Sequence, residues 1–185
     1  VLVLNNGRPL AIPWAAKNIP AIVEAWHLGT QTGNAVAQVL YGDYNPSGKL
    51  PMTFPRNVGQ CPIYYNTYSS GRPENSENNV FWSHYSDVEK TPQFPFGFGL
   101  SYTTFAYKNL KLNKTSYAKG EPIQVAVEVS NTGKFDGKEV VQLYIQDVAA
   151  RIARPVKELK GFELVDLKVG ETKTITFTLT DNELG

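Results

Sequence analysis

Two hydrophobic rhythms divide the chain. Near its start, apolar residues come in short unbroken runs. Val1-Leu2-Val3-Leu4 and Ala21-Ile22-Val23-Glu24-Ala25-Trp26 set β-branched, leucine and aromatic side chains back to back, as strands covered on both faces of a parallel sheet do. Asn5-Asn6-Gly7-Arg8-Pro9 punctuates the first run. Ala11 to Lys17 predicts a short helix, with Pro13 in its first turn, where a missing N–H costs nothing. Pro20 ends it. After the second run, Thr32-Gly33-Asn34 opens a helix through Ala35, Val36, Val39 and Leu40, with Thr32 or Asn34 as its cap. Strand, helix, strand, helix is the order of a parallel α/β layer. Only about two of its strands are present, so the layer is expected to begin before Val1.

From Phe105 onward the period becomes two. Tyr107 to Leu112, Ile123 to Val129, Glu139 to Gln146, Glu158 to Val165 and Lys173 to Leu179 each alternate apolar and polar positions between turn signals such as Asn131-Thr132-Gly133. Short, evenly spaced strands of this kind predict a β-sandwich. Five are read, against the seven of a complete immunoglobulin-like sandwich, so this part is expected to be cut short at its C-terminus. The fold class is therefore α/β plus all-β.

The stretch between these regions has neither rhythm. Asp43-Tyr44-Asn45-Pro46-Ser47-Gly48-Lys49 is a turn signal, because proline fixes φ and glycine accepts positive φ. Leu50-Pro51-Met52-Thr53-Phe54-Pro55 suits an extended edge segment. Residues 62–104 are crowded with Tyr, Phe, Gly and Asn. A long connection without regular structure is uncommon unless it is functional or held down by its own side chains, and the rings favour the second.

Composition narrows the function classes. The 185 residues are 42% hydrophobic and 19% charged, with a formal net charge of +1, which excludes an electrostatic footprint for nucleic acid or an anionic membrane. No apolar run approaches the roughly 20 residues of a membrane span. The apolar start lacks a basic region and a cleavage site, so it is not a signal peptide. Cys61 stands alone, and His27 and His84 form no ligand spacing, so neither a disulfide within the chain nor a transition-metal site is expected. Nor is a cofactor. Gly29, Gly33 and Asn34 open a helix that has the polarity to hold an anion, but no phosphate-binding glycine pattern is present. His27 follows the second strand, at the edge where open α/β sheets bind ligands, and reads as a hydrogen-bonded structural residue. Trp14, Trp26 and Trp82, with the tyrosines, form either a sugar-stacking platform or packing at a domain interface; the second reading is preferred.

Three stretches carry a resemblance. They are Val1-Leu2-Val3-Leu4-Asn5-Asn6-Gly7-Arg8-Pro9-Leu10, the segment from Gly42 to Arg56 with Gly42-Asp43-Tyr44-Asn45-Pro46-Ser47-Gly48-Lys49 at its head, and Pro95-Phe96-Gly97-Phe98-Gly99-Leu100-Ser101-Tyr102-Thr103. In this order, over nearly the whole chain, they resemble family 3 glycoside hydrolases of the bacterial periplasmic β-glucosidase type. The resemblance implies residues 1–61 as the end of the family's C-terminal α/β domain, 62–104 as an interdomain connection and 105–185 as a fibronectin-III-like sandwich. It implies a parent that hydrolyses terminal β-D-glucosyl residues with retention, a barrel domain on the N-terminal side, and a periplasmic or secreted location. A homodimer is a further expected partner state.

Retention requires two carboxyl groups roughly 5 Å apart. The resemblance places the family's pair outside this chain, so no catalytic residue is assigned. Among local acids, Glu24 with Asp43 adjoins the βαβ unit, and Asp87 and Glu89 lie in the aromatic connection. The simpler reading has Asp43 capping its turn and Glu24 paired near a strand end. Arg8 is expected to pair with a carboxylate. Asn113-Lys114-Thr115 matches the N-glycosylation pattern, which the bacterial source suggested by the resemblance would leave unused.

Overall fold

The computed structural model describes residues 1–69 and 84–184. They divide into two compact units, one of Val1–Tyr41, Lys49–Phe98 and Gln146–Lys157, the other of Gly42–Gly48, Gly99–Ile145 and Glu158–Gly185.

The first unit holds the α/β elements. Strand β1 (Leu2–Leu4) pairs in parallel with β2 (Ile22–Glu24), Leu2 facing Ile22 and Leu4 facing Glu24. Helix α1 (Pro13–Asn18) begins on proline and ends where Ile19 turns extended, because Ile19 directly precedes Pro20 and the ring of a following proline disfavours the helical region. Helix α2 (Thr32–Tyr41) buries none of its residues, and α1 buries only Ala15. Leu40, Tyr41 and Trp14 are exposed, so both helices keep apolar faces in solvent. Neither expected cap of α2 forms. Thr32 lies inside the helix and its hydroxyl donates to the Gly29 carbonyl, while Asn34 Nδ2 donates to Gln31 Oε1. Both residues lie within the first helical turn rather than ahead of it, and among the described residues neither side chain accepts from a first-turn N–H.

The prolines of residues 50–55 do not prevent pairing. Leu50 N–H donates to Phe98 O and Gly97 N–H to Leu50 O, and Phe54 bridges Phe94 antiparallel. Two of the stretches that carry the family resemblance are thus partners of each other. Phe54, 2% exposed, anchors a chain of rings through Trp26 and Phe94, with Phe94 stacked on Phe98 and Tyr65 stacked on Phe96 at 4.1 Å. These rings pack as expected; Tyr64 and Tyr68 remain exposed, and Phe81 and Trp82 lie outside the described residues. Gln60, also 2% exposed, pins the start of the connection. It closes a 3-10 turn (Val58–Gln60) in a capping box with Asn57, accepts from Arg56 N–H and donates to Glu89 O.

The second unit is the sandwich. Strands β3 (Phe105–Leu112), β4 (Ile123–Asn131) and β7 (Thr172–Leu179) form one antiparallel sheet, and β5 (Gly137–Ile145) and β6 (Glu158–Leu167) the other. A short helix α3 (Asp181–Leu184) follows. All five expected strands are present. Alternation selects the inward set: Val129, Val141, Val165, Leu167 and Ile175 make the core, each the apolar member of its period-two pattern. Gly161 lets Phe177 lie against the backbone of β6, since a Cβ there would stand 2.9 Å from the ring. Edge strand β3 breaks register between Lys108 and Lys111, where Asn109 takes a left-handed φ of 53° and donates through Nδ2 to Glu128; asparagine tolerates this conformation better than most residues.

Two asparagines hold the loops of this unit. Asn131, 1% exposed, accepts from Thr103 Oγ1 at 2.7 Å and from Gly133 N–H, and donates to Phe135 O and Leu167 O. Asn45 accepts from Ser101 Oγ and Tyr102 N–H and donates to Asp136 O. The turn at 43–48 is therefore fixed by Asn45. Asp43, expected to cap it, is exposed and makes no hydrogen bond among the described residues.

Candidate functional site

The carboxyl ends of β1 and β2 bring the candidates of the α/β unit together. Parallel register sets Leu4 beside Glu24, and the residues that follow, Asn6 to Arg8 and Trp26 to His27, leave the sheet on the same edge. Glu24 folds back so that Oε1 accepts Trp26 N–H at 2.9 Å. That bond holds Trp26 at φ 52°, a conformation that costs a non-glycine residue roughly 1–2 kcal/mol, while the indole packs on Phe54. Glu24 is not ion-paired as expected: its Oε2 is buried with no partner, as is Asn6 Oδ1. His27 is exposed and packs its ring on Gly7, where a Cβ would come within 2.7 Å of Nε2. It makes no hydrogen bond among the described residues, so its structural role is steric. Arg8 is exposed and meets no carboxylate within ion-pair distance among the described residues; the asparagine-rich turn has only Asn6 to offer, and that side chain donates to the Arg8 carbonyl.

The remaining acids are bound into local structure or solvent. Glu89 pairs with Arg56 at 2.9 Å, and its backbone carbonyl accepts from Gln60. Asp87 is exposed. Gly29 and Gly33 are exposed around the start of α2. Trp14 is 71% exposed on α1. Among the described residues no group of three or more His, Cys, Asp or Glu side chains is placed to hold a metal ion, and no helix is long and apolar enough to cross a membrane.

In the sandwich, an apolar cleft of about 420 Å³ opens between edge strands β3 and β5. Val125, Val127, Val141, Leu143 and Phe177 supply its apolar wall, and its lining contains no carboxylate. Beside it, Tyr107 Oη donates to Glu139 Oε1 at 2.8 Å. Burial first, then the Glu139 carboxylate, push the Tyr107 phenol well above its ordinary value. Sequence patterning missed this pair, because both residues read as ordinary members of alternating strands.

Comparison with known proteins places these features. Residues 1–102 match the glycosyl hydrolase family 3 C-terminal domain, and residues 139–185 a fibronectin type III-like domain. The chain is similar to a periplasmic β-glucosidase of Salmonella typhimurium, 52% identical over 97% of this chain and 24% of that protein. It is equally similar to a β-xylosidase of Formosa agariphila, 52% identical over 100% of this chain and 25% of that protein. Among solved structures, the β-glucosidase of Listeria innocua in complex with isofagomine superposes with a TM-score of 0.93, at 46% identity over 98% of this chain and 25% of that one. The chain spans about a quarter of the length of the curated relatives it matches.

Proposed function

Since the chain belongs to glycosyl hydrolase family 3, we propose that it is the non-catalytic C-terminal portion of a retaining β-glucosidase. In that reading the α/β unit walls the cleft of the parent and the sandwich braces its other domains, with residues 62–104 as the connection. The observation that carries it is the disproportion of the match: 97% of this chain accounts for 24% of a β-glucosidase. The acids support the same reading, for Glu24 and Glu89 are spent on holding a turn and an arginine.

The uncovered faces of α1 and α2 suit contact with the rest of the parent, its N-terminal barrel included, and in isolation they favour a homodimer. The β-glucoside is then a substrate of the parent, and the location is periplasmic or secreted, a reading supported by the Salmonella relative, which is a periplasmic β-glucosidase. The isolated chain, purified to homogeneity, is expected to give no turnover of an aryl β-glucoside under conditions in which the full-length parent is active. Turnover that copurifies with the 185-residue chain refutes the reading.

A further inference from the structure

We infer that Asn113 is a competent acceptor for an asparagine-linked glycan. This goes beyond the glycosidase reading and does not depend on it. Asn113-Lys114-Thr115 is the one acceptor tripeptide of the sequence, Asn45-Pro46-Ser47 being blocked by its central proline. It lies on the turn that leaves β3, with Asn113 and Thr115 both exposed.

The turn presents one side of the Asn113 amide. Its Oδ1 accepts from Tyr117 Oη at 2.6 Å and from Gln124 N–H at 2.9 Å, and the Asn113 N–H donates to Gln124 O. The Lys114–Glu121 ion pair and the bond from Ala118 N–H to Glu121 close the loop behind it. With Oδ1 tied down twice, the planar amide is fixed, and Nδ2 donates to nothing among the described residues. Nδ2 is the atom a glycan takes. A substituted amide keeps Oδ1 and one N–H, so every bond that orders the turn survives the modification.

The donor is a polyprenyl-diphosphate-linked oligosaccharide. The bond from its anomeric carbon to the diphosphate oxygen breaks, a bond from that carbon to Nδ2 forms, Nδ2 gives up one proton, and the lipid diphosphate leaves. A glycan here stands at the end of β3, beside Leu112 and Leu110, which are 55% and 70% exposed. Whether the natural host carries the transferase governs occupancy; the acceptor geometry belongs to the chain.

The test is translation of the 185-residue chain behind a secretion signal with pancreatic microsomes. A single glycan step on a gel is expected, removed by endoglycosidase H, abolished by Asn113→Gln and by Thr115→Ala, and kept by Thr115→Ser. The glycan-bearing chain, secreted from yeast, is expected to melt at the same temperature as the unmodified Thr115→Ala chain. An unshifted wild-type band, a shift that persists in Thr115→Ala, or a glycan-bearing chain that melts clearly lower overturns the inference.

Discussion

Asn131→Ala is expected to destabilise the sandwich more than any single core truncation by one methylene. Asn131 makes four hydrogen bonds from a site 1% exposed. Alanine removes them all and admits no solvent to replace them. Two of the stranded partners, Thr103 Oγ1 and Leu167 O, form their bonds at buried positions, and each unpaired group there costs about 1–3 kcal/mol. The expected loss is about 3–4 kcal/mol, against roughly 0.5–1.5 kcal/mol for an Ile→Val change in a core. For a unit of this size it lowers Tm by at least about 12 °C. Urea unfolding should be followed by far-ultraviolet circular dichroism, because the segments that form the second unit contain no tryptophan. Asn131→Asp separates the two halves of the effect. It keeps an acceptor for Thr103 but turns a carboxylate oxygen toward the Phe135 and Leu167 carbonyls, so at neutral pH it should be no better than alanine. A loss below about 1 kcal/mol for Asn131→Ala, with an unchanged m-value, refutes the argument.

The remaining expectations concern packing, pH and association. Gly161→Ala pushes a methyl against Phe177 and should cost about 1–3 kcal/mol, read as a lowered urea midpoint; a neutral result means the ring moves freely. Tyr107 has a phenol pKa above that of the unfolded chain, about 10, so its contribution is intact below that pH and is lost as pH rises through the folded value. Denaturation curves across the alkaline range should therefore show the stability gap between wild type and Tyr107→Phe shrinking above about pH 10, and a constant gap contradicts the assignment. Trp14→Ser with Tyr41→Ser removes exposed apolar area from α1 and α2 and should reduce any concentration dependence of melting, checked by sedimentation; unchanged association places the contact elsewhere.

The strands of the sandwich were legible because each buries one face, and burial on one face writes period two into the sequence. β1 and β2 were legible as apolar runs for the complementary reason. The loop anchors were not. Asp43 and Asn45 stand two apart in the same turn, and local preference favours either. What selects Asn45 is a set of partners at Ser101, Tyr102 and Asp136, which no local pattern announces. The same holds for residues 50–54, whose extended form was readable but whose antiparallel partner at 94–98 was not. At the sheet edge, His27, Glu24 and Arg8 were identified as candidates by position. Their actual contacts depend on a glycine, a backbone N–H and, among the described residues, the lack of a nearby acid, none of which spacing encodes.

The kink at Asn109 bears on behaviour at high concentration. A straight outer ribbon offers its backbone to any stray polypeptide, the first step toward fibrous deposits. Here the offending row is bent out of line midway and flanked by the ammonium groups of Lys108 and Lys111. Straightening it, by exchanging the asparagine for a residue that resists the left-handed turn, would leave a molecule that still folds but precipitates on storage.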